Sequence, residues 1–167
     1  MISPEIWIGY LEHKSPDLLW DFTANVGKGG CTIFAADLWA TQRRWLFRLP
    51  WCATFVHAVI NRPDILGKAH AGCRVLERRM RRKRLWRGKS YLPHRGDIVF
   101  LSNSATEYID HCGIVTDCKG GIVWSVEGNG KDTTGHFDPN QGGAVTLMER
   151  EITNPKIVGY AEIWSLL

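Results

Sequence analysis

Several features that define large classes of proteins are missing from this chain. Its 167 residues contain no uninterrupted apolar run of about 18 residues, the length that a membrane-spanning helix needs. The first residues show no basic segment followed by an apolar one, so we expect no signal peptide and synthesis in the cytoplasm. Internal repeats and low-complexity linkers are also absent. With 44% hydrophobic and 23% charged residues, the chain is predicted to form one globular domain over residues 1–167.

Metal and disulfide signatures are missing as well. The five cysteines, an odd number, include no Cys-x-x-Cys pair, which argues against a zinc ribbon or a full disulfide framework. We expect free thiols, as is usual in the cytoplasm. The histidines do not occur four residues apart, and no acidic loop has calcium-binding spacing. The sequence therefore predicts no metal and no cofactor.

Positive charge is concentrated in one segment. Between Arg74 and Lys89 the chain carries nine Lys or Arg and one Glu, a net +8, which leaves −4 for the rest of a chain whose total is +4. Leu76 and Met80 stand four residues apart inside this segment, as on one face of a helix. The segment is interpreted either as a patch for an anionic polymer, such as nucleic acid or a cell-wall polymer, or as a solvated helix face.

Helical patterns precede strand patterns along the chain. Ser15-Pro16-Asp17 predicts one helix start, and Thr32 is a candidate cap for a second helix. After Pro93 the apolar period changes to that of strands. Five strands are predicted, over residues 96–101, 112–116, 122–127, 144–148 and 157–164. Helices followed by strands indicate an α+β fold, with N-terminal helices packed on a C-terminal antiparallel sheet of about five strands.

A cysteine stands at the start of the most apolar predicted helix. Pro50 is suited to a helix start, and Phe55, Val56 and Val59 follow at helical spacing. The helix dipole at Cys52 favours the thiolate, which is the nucleophilic form of cysteine. Taken alone, a cysteine on an apolar face is more typical of a buried structural residue.

Polar residues at the ends of two predicted strands give Cys52 a possible partner. His111 begins the second strand, while Glu127 ends the third and Asn129 follows it. If these strands form a hairpin, His111 lies beside Glu127 and Asn129, and the helix can bring Cys52 to them. A thiol, an imidazole and a carboxylate or amide form the set required for nucleophilic thiol catalysis. Trp51 neighbours the thiol and is a candidate for contact with substrate.

Four segments together resemble the CHAP family, the cysteine, histidine-dependent amidohydrolases and peptidases. WCATFV at residues 51–56 resembles the nucleophile helix of that family, and PHRGDIVF at 93–100 resembles its first strand. DHCGIV at 110–115 is similar to the histidine strand, and VEGN at 126–129 to the end of the next one. Residues 8–15, 21–25 and 157–160 extend the likeness to endolysins of phages and prophages of gut bacteria.

The resemblance implies a fold and a set of roles. The fold would be papain-like and similar to that of the NlpC-type peptidases. Cys52 would be the nucleophile, His111 the general base and Glu127 the group that orients the imidazole, with Asn129 as an auxiliary group or an alternative orienter. The partner would be bacterial peptidoglycan, with the segment from Arg74 to Lys89 available for anionic wall polymers.

The implied activity is hydrolysis of a peptidoglycan amide bond, by a cysteine endopeptidase or an N-acetylmuramoyl-L-alanine amidase. The expected setting is an endolysin that acts at the bacterial cell wall after its release. Two alternatives stay open. One is a non-catalytic module that binds wall polymer or nucleic acid, and the other is an antibacterial toxin of the same fold.

Overall fold

The computed structural model describes residues 3–131 and 142–167. It confirms the α+β class, with helices in the first half of the chain and an antiparallel sheet in the second. The helices are α1 (Ile33–Gln42), α2 (Cys52–Ile60), α3 (Pro63–Leu66) and α4 (Cys73–Arg82), with short 3-10 turns at Pro4–Trp7 and Trp164–Leu166. The strands are β1 (Trp86–Arg87), β2 (Ile98–Leu101), β3 (His111–Lys119), β4 (Ile122–Lys131), β5 (Gly142–Glu151) and β6 (Ile157–Ala161).

The strands form one sheet in the order β1-β6-β2-β3-β4-β5, and every neighbouring pair is antiparallel. The prediction of about five strands missed β1, in which Trp86 pairs with Ala161 and Arg87 with Tyr160. The basic helix ends at Arg82, and Arg84 then adopts a left-handed conformation with φ of 60°. This turn redirects the chain along β6, so Trp86 becomes a strand residue.

The β3–β4 hairpin has the predicted turn. Gly120 and Gly121 both have positive φ, 60° and 80°, which glycine adopts at little cost. The strands on either side are longer than predicted, and β3 begins at His111. The hairpin therefore places the first residues of β3 beside the last residues of β4, as the sequence suggested.

Helix α2 lies between α1 and the inner face of the sheet, where it packs on β3 and β4. All its residues except Ala58 are buried, because other elements cover it on both sides. Phe55 and Val56 meet Phe100, Ile114 and Val126 in the main core. The other face of the sheet has a smaller apolar cluster that includes Val99, Val115 and Tyr160.

One predicted cap is confirmed and one predicted helix is wrong. The side chain of Thr32 accepts a hydrogen bond from the Ala35 N–H at 3.1 Å and caps α1. Ser15-Pro16-Asp17 starts no helix, and residues 15–30 form turns and bends apart from an isolated bridge between Val26 and His13. The Asn25 amide donates to the carbonyls of Ser15 and Leu18, so this side chain competes with helical backbone bonding.

The basic segment forms a helix, as predicted, and then the strand β1. Leu76 and Met80 are buried, while Arg74, Arg78 and Arg82 lie on the exposed side of α4. Among the described residues, no helix is both long and apolar enough to cross a bilayer.

A glycine allows α2 to approach the sheet closely. A Cβ atom on Gly128 in β4 would lie 2.5 Å from Cβ of Phe55 and 2.8 Å from Cζ3 of Trp51. Both distances are far below van der Waals contact, so only glycine lets the start of α2 lie this close to the end of β4. That approach brings Cys52 to the strand that carries His111.

We expect Gly128→Ala to lower the free energy of unfolding by ~1–3 kcal/mol, the range for overpacking of a core, because α2 must move away from β4. Gly88→Ala is the matched control, since its Cβ would meet nothing within 4 Å. Urea unfolding of both variants measures the difference. Equal free energies of unfolding for Gly128→Ala and Gly88→Ala would show that α2 and β4 leave room for a Cβ atom at residue 128.

Candidate active site

Cys52 is the first residue of α2, and its side chain is only 2% exposed. Trp51 precedes it, and the Trp51 carbonyl accepts the first intrahelical bond from the Phe55 N–H at 2.8 Å. The earlier N–H groups of a helix have no intrahelical acceptors, so they present positive charge near the thiol. The sequence therefore placed the cysteine correctly at a helix N-terminus.

His111 and Glu127 are brought together as predicted. Nε2 of His111 lies 2.9 Å from Oε2 of Glu127 across the β3–β4 hairpin. The Cys52 thiol and the His111 ring are close enough for each to shift the pKa of the other. Since Nε2 is engaged with Glu127, Nδ1 is the ring nitrogen left for the thiol. The three residues thus form a thiol–imidazole–carboxylate series.

A second glycine makes the contact between His111 and Glu127 possible. A Cβ atom on Gly113 would lie 2.5 Å from Cγ of Glu127, so the Glu127 side chain lies directly over the backbone of β3 at this residue. Any other residue at position 113 would push the carboxylate away. This contact gives a structural reason for the glycine two residues after His111.

The carboxylate of Glu127 has two further partners. Arg150 of β5 contacts both of its oxygens, at 2.5 Å and 3.1 Å, and the Ser125 hydroxyl donates to Oε1 at 2.6 Å. The sequence analysis did not find Arg150. Side chains alternate between the two faces of a strand, and Arg150 and Glu127 lie on the same face of the paired strands β4 and β5. Their contact could be predicted only from the register of these two strands.

Burial and neighbouring charge set the protonation states of these groups. Hydrogen bonds from the thiols of Cys112 and Cys73, followed by His111, hold the pKa of Cys52 well below its ordinary value against the effect of burial. Burial by itself would lower the pKa of His111, but Cys52 and Glu127 raise it to about 10. The pKa of Glu127 falls to about 2 because His111 and Arg150 outweigh burial. These pKa shifts favour a thiolate on Cys52, an imidazolium on His111 and a carboxylate on Glu127.

Two more cysteines surround the thiol. Sγ of Cys73, at the start of α4, lies 3.3 Å from Sγ of Cys52, and Sγ of Cys112 in β3 lies 3.5 Å from that of Cys73. All five cysteines of the chain are free thiols. The sequence did not indicate this cluster, because its members are 21 and 39 residues apart and meet only through the packing of α2, α4 and β3.

Asn129 and Trp51 have different environments. Asn129 is half-buried with φ of 57°, and it lines a cavity of about 630 Å³ together with His111 and Glu127. The orienting contact to His111 Nε2 is made by Glu127. Trp51 is 1% exposed, stacks on Phe34 and donates from its indole to Glu12 at 2.8 Å. Trp51 therefore lies in the core, and this differs from the prediction that it contacts substrate.

The cavity is polar and carries several cations. Its wall includes Lys131, Arg150 and Lys156 beside His111, with Glu127 and Glu149 as the acids. A second cavity, of about 670 Å³, is apolar and lies at the other end of α2, beside Val59 and Asn61. The cavity next to His111 adjoins the imidazole and Glu127, whereas Cys52 is not among the described residues that line it.

Between about pH 6 and pH 9 we expect the rate at which iodoacetamide alkylates Cys52 to rise less steeply with pH than that of an ordinary thiol, because the pKa of Cys52 is held below the ordinary thiol value of ~8.5. The half-buried Cys118 is an internal control. Its pKa is raised by burial, so its rate should rise about tenfold per pH unit over this range. Peptide mass analysis measures both rates in one sample. A Cys52 rate that rises as steeply as that of Cys118 would contradict the ion pair.

We expect Arg150→Met to lower the free energy of unfolding at neutral pH by ~3 kcal/mol, because it leaves a buried carboxylate with one cationic partner fewer. The lowered pKa of Glu127 stabilises the fold above the pKa of the unfolded carboxyl, and this stability is lost as pH falls through about 2. Without Arg150 that pKa rises, so acid unfolding should begin at a higher pH. Circular dichroism during urea and acid titration measures both effects, with the exposed Arg78→Met as the control. Identical behaviour of the two variants would show that Arg150 does not hold Glu127.

The comparisons with known proteins give no family for this chain. No family model matches it, and no curated protein matches it. Its function must therefore be argued from the residues of the site.

Proposed function

We propose that this chain is a peptidoglycan hydrolase of the CHAP type, in which Cys52 attacks an amide carbonyl. The observation that carries the proposal is the series of Cys52, His111 and Glu127, with the imidazole between a thiol at a helix N-terminus and a carboxylate at 2.9 Å. Three of the four motifs that resemble the CHAP family contain these same three residues, and the α+β fold agrees with a papain-like arrangement.

The acylation step uses the ion pair. The Cys52 thiolate attacks the carbonyl carbon, and the electron pair of the C=O bond moves to oxygen. The first N–H groups of α2 can donate to that oxyanion, since they lack intrahelical acceptors. The His111 imidazolium then gives its proton to the amide nitrogen, the C–N bond breaks, and the amine leaves a thioester on Cys52.

Hydrolysis returns the enzyme to its starting state. Neutral His111 takes a proton from water, and the hydroxide attacks the thioester carbonyl. The C–S bond breaks, a carboxylic acid is released, and the thiolate and imidazolium are restored. Glu127 touches neither reacting atom. It holds the imidazole through Nε2 and favours the protonated ring, while Arg150 keeps the carboxylate ionised and in place.

The cavity beside His111 suits an anionic peptide. Lys131, Arg150 and Lys156 lie on its wall, and the stem peptides of peptidoglycan carry free carboxylates. Lysine and arginine bind carboxylates through charge-assisted hydrogen bonds. The substrate bond is therefore proposed to lie within the peptide stem or crossbridge, or between muramic acid and L-alanine.

The alternative of a binding module rests on the basic segment. Several of its cations already have partners within the fold, because Arg81 pairs with Glu77, Arg87 with Glu162 and Lys89 with Glu107. The guanidinium of Arg79 bonds to backbone carbonyls between α3 and α4. These contacts favour a structural role for part of the segment, and Arg74, Arg78 and Arg82 remain on the surface for wall polymer.

The setting that we propose is a phage or prophage endolysin, made in the cytoplasm and active at the wall after release. A toxin delivered to rival cells would use the same chemistry. The endolysin and the toxin would differ in the genes that lie next to theirs, while the reaction and the site would be the same.

We expect the wild-type chain to clear a suspension of purified bacterial walls and Cys52→Ala to be inactive, because the nucleophile is lost. His111→Ala should fall at least ~100-fold, as general acid–base catalysis contributes that much. Cys118→Ala, which alters a thiol outside the cluster, is the matched control and should keep full activity. Mass analysis of the released fragments identifies the bond that is cut.

Equal clearing by wild type and Cys52→Ala would overturn the assignment of the nucleophile. If neither variant clears walls of several bacterial types but both sediment with them in a salt-sensitive way, the binding module replaces the hydrolase, since phosphate-rich polymers bind basic patches in that manner.

A further inference from the structure

Three buried sulfur atoms converge at the N-terminus of α2. Cys52, Cys73 and Cys112 come from α2, α4 and β3, and their Sγ atoms all lie within 4.8 Å of one another. Their exposures are 2%, 5% and 0%, so the sulfurs face each other inside the core. The proposed hydrolysis uses only Cys52 as a nucleophile. The proposed hydrolysis does not explain why the thiols of Cys73 and Cys112 lie so close to that of Cys52.

The triangle has the size of a metal–thiolate site. With zinc–sulfur bonds of ~2.3 Å, three sulfurs around a zinc ion lie ~3.8–4.0 Å apart in tetrahedral or trigonal geometry. Two sides of the triangle measure 3.3 Å and 3.5 Å, and the third is at most 4.8 Å. Shifts of a few tenths of an ångström along the two measured sides would therefore open room for the ion. A disulfide requires ~2.05 Å, so a pair of these sulfurs would have to move more than an ångström closer.

The chemistry of the surroundings selects a soft cation. Thiolate ligands prefer zinc and other soft d10 ions over magnesium or calcium. A divalent ion with three thiolates leaves one negative charge, and the imidazolium of His111 beside Cys52 can balance it. The Nε2 contact of His111 with Glu127 is also the arrangement that orients histidines next to metals.

Protons must leave when an ion binds. Cysteine binds a metal as the thiolate, so a bound cation would displace the protons of any of the three sulfurs that is a thiol. Affinity should rise with pH as a consequence.

We propose that Cys52, Cys73 and Cys112 form a binding site for one soft d10 cation, represented by Zn²⁺. An ion there occupies the lone pair with which Cys52 would attack a carbonyl. A chain with a cation bound at these sulfurs therefore cannot hydrolyse substrate. This consequence, unlike the cation site, depends on the proposed function. The cation site itself depends only on the three sulfurs.

The test uses the untagged full chain, reduced with a phosphine, and Co²⁺ as a spectroscopic probe of thiolate coordination. We expect one Co²⁺ per chain with a sulfur-to-cobalt charge-transfer band, and displacement of Co²⁺ by one Zn²⁺. Cys73→Ser and Cys112→Ser should each weaken binding by more than the ~10–100-fold typical of losing an outer-shell partner. Cys31→Ser and Cys118→Ser are the matched controls and should bind as wild type does.

A second measurement needs no variant in the core. Zn²⁺ should slow the alkylation of Cys52 and leave Cys118 reactive, while Cys73 and Cys112 are shielded by burial in either case. The proposal is overturned if wild type shows no charge-transfer band, or if Zn²⁺ does not slow the alkylation of Cys52. It is also overturned if folded Cys73→Ser and Cys112→Ser, checked by circular dichroism, bind as wild type does.

Wall clearing separates this proposal from the previous one. A chain that binds Zn²⁺ at the three sulfurs but clears no wall keeps the cation site and loses the hydrolase. If the chain clears walls at the same rate with and without saturating Zn²⁺, the proposal that cation binding blocks hydrolysis is wrong. We expect clearing to stop with one equivalent of Zn²⁺ and to return when a chelator is added.

Discussion

The carboxylate of Glu127 ties three strands together at one end of the sheet. It reaches across β3 to His111 and is held from β5 by Arg150, while it belongs to β4 itself. An ionised group that is 2% exposed is stable only if its charge is balanced. The imidazolium and the guanidinium supply that balance, and the Cys52 thiolate balances the imidazolium in turn. Each charge in the series depends on the next, so the protonation state of the thiol is coupled to a residue on β5.

Two glycines determine whether this series can form. Gly113 leaves the space in which Glu127 lies over β3, and Gly128 lets α2 come close enough for Cys52 to meet His111. Neither glycine contributes a functional group. Both act because they have no Cβ atom, which would lie only 2.5 Å from a neighbouring side chain at either position. The geometry of the site is thus set by packing as much as by the polar residues in it.

The helix that carries Cys52 and the strands that carry His111 and Glu127 were predictable, because apolar period and turn residues are local signals. The hairpin turn at Gly120 and Gly121 then fixed which strand ends meet. Arg150 was not predictable, since its contact depends on the register of β4 against β5, on which no local signal reports. The predicted helix at Ser15 failed because Asn25, ten residues away, bonds to the carbonyls that the helix would have used. Cys73 and Cys112 were missed for a similar reason, as three separate elements must pack before their sulfurs meet.

Burial strengthens the ion pair and also limits what can reach it. In a core of low polarity, the attraction between thiolate and imidazolium is less screened than in water. The same core leaves Cys52 2% exposed, and it is not among the described residues that line the cavity beside His111. A carbonyl of the proposed substrate must therefore reach a thiol that lies beyond the described wall of this cavity. A single dehydrated cation is smaller than any peptide, and in the proposed cation site the three sulfurs supply three of the four ligands that zinc usually takes. Under the two proposals, a substrate and a cation would therefore compete for the Cys52 sulfur, and the packing around Cys73 and Cys112 would set how strongly the cation is held.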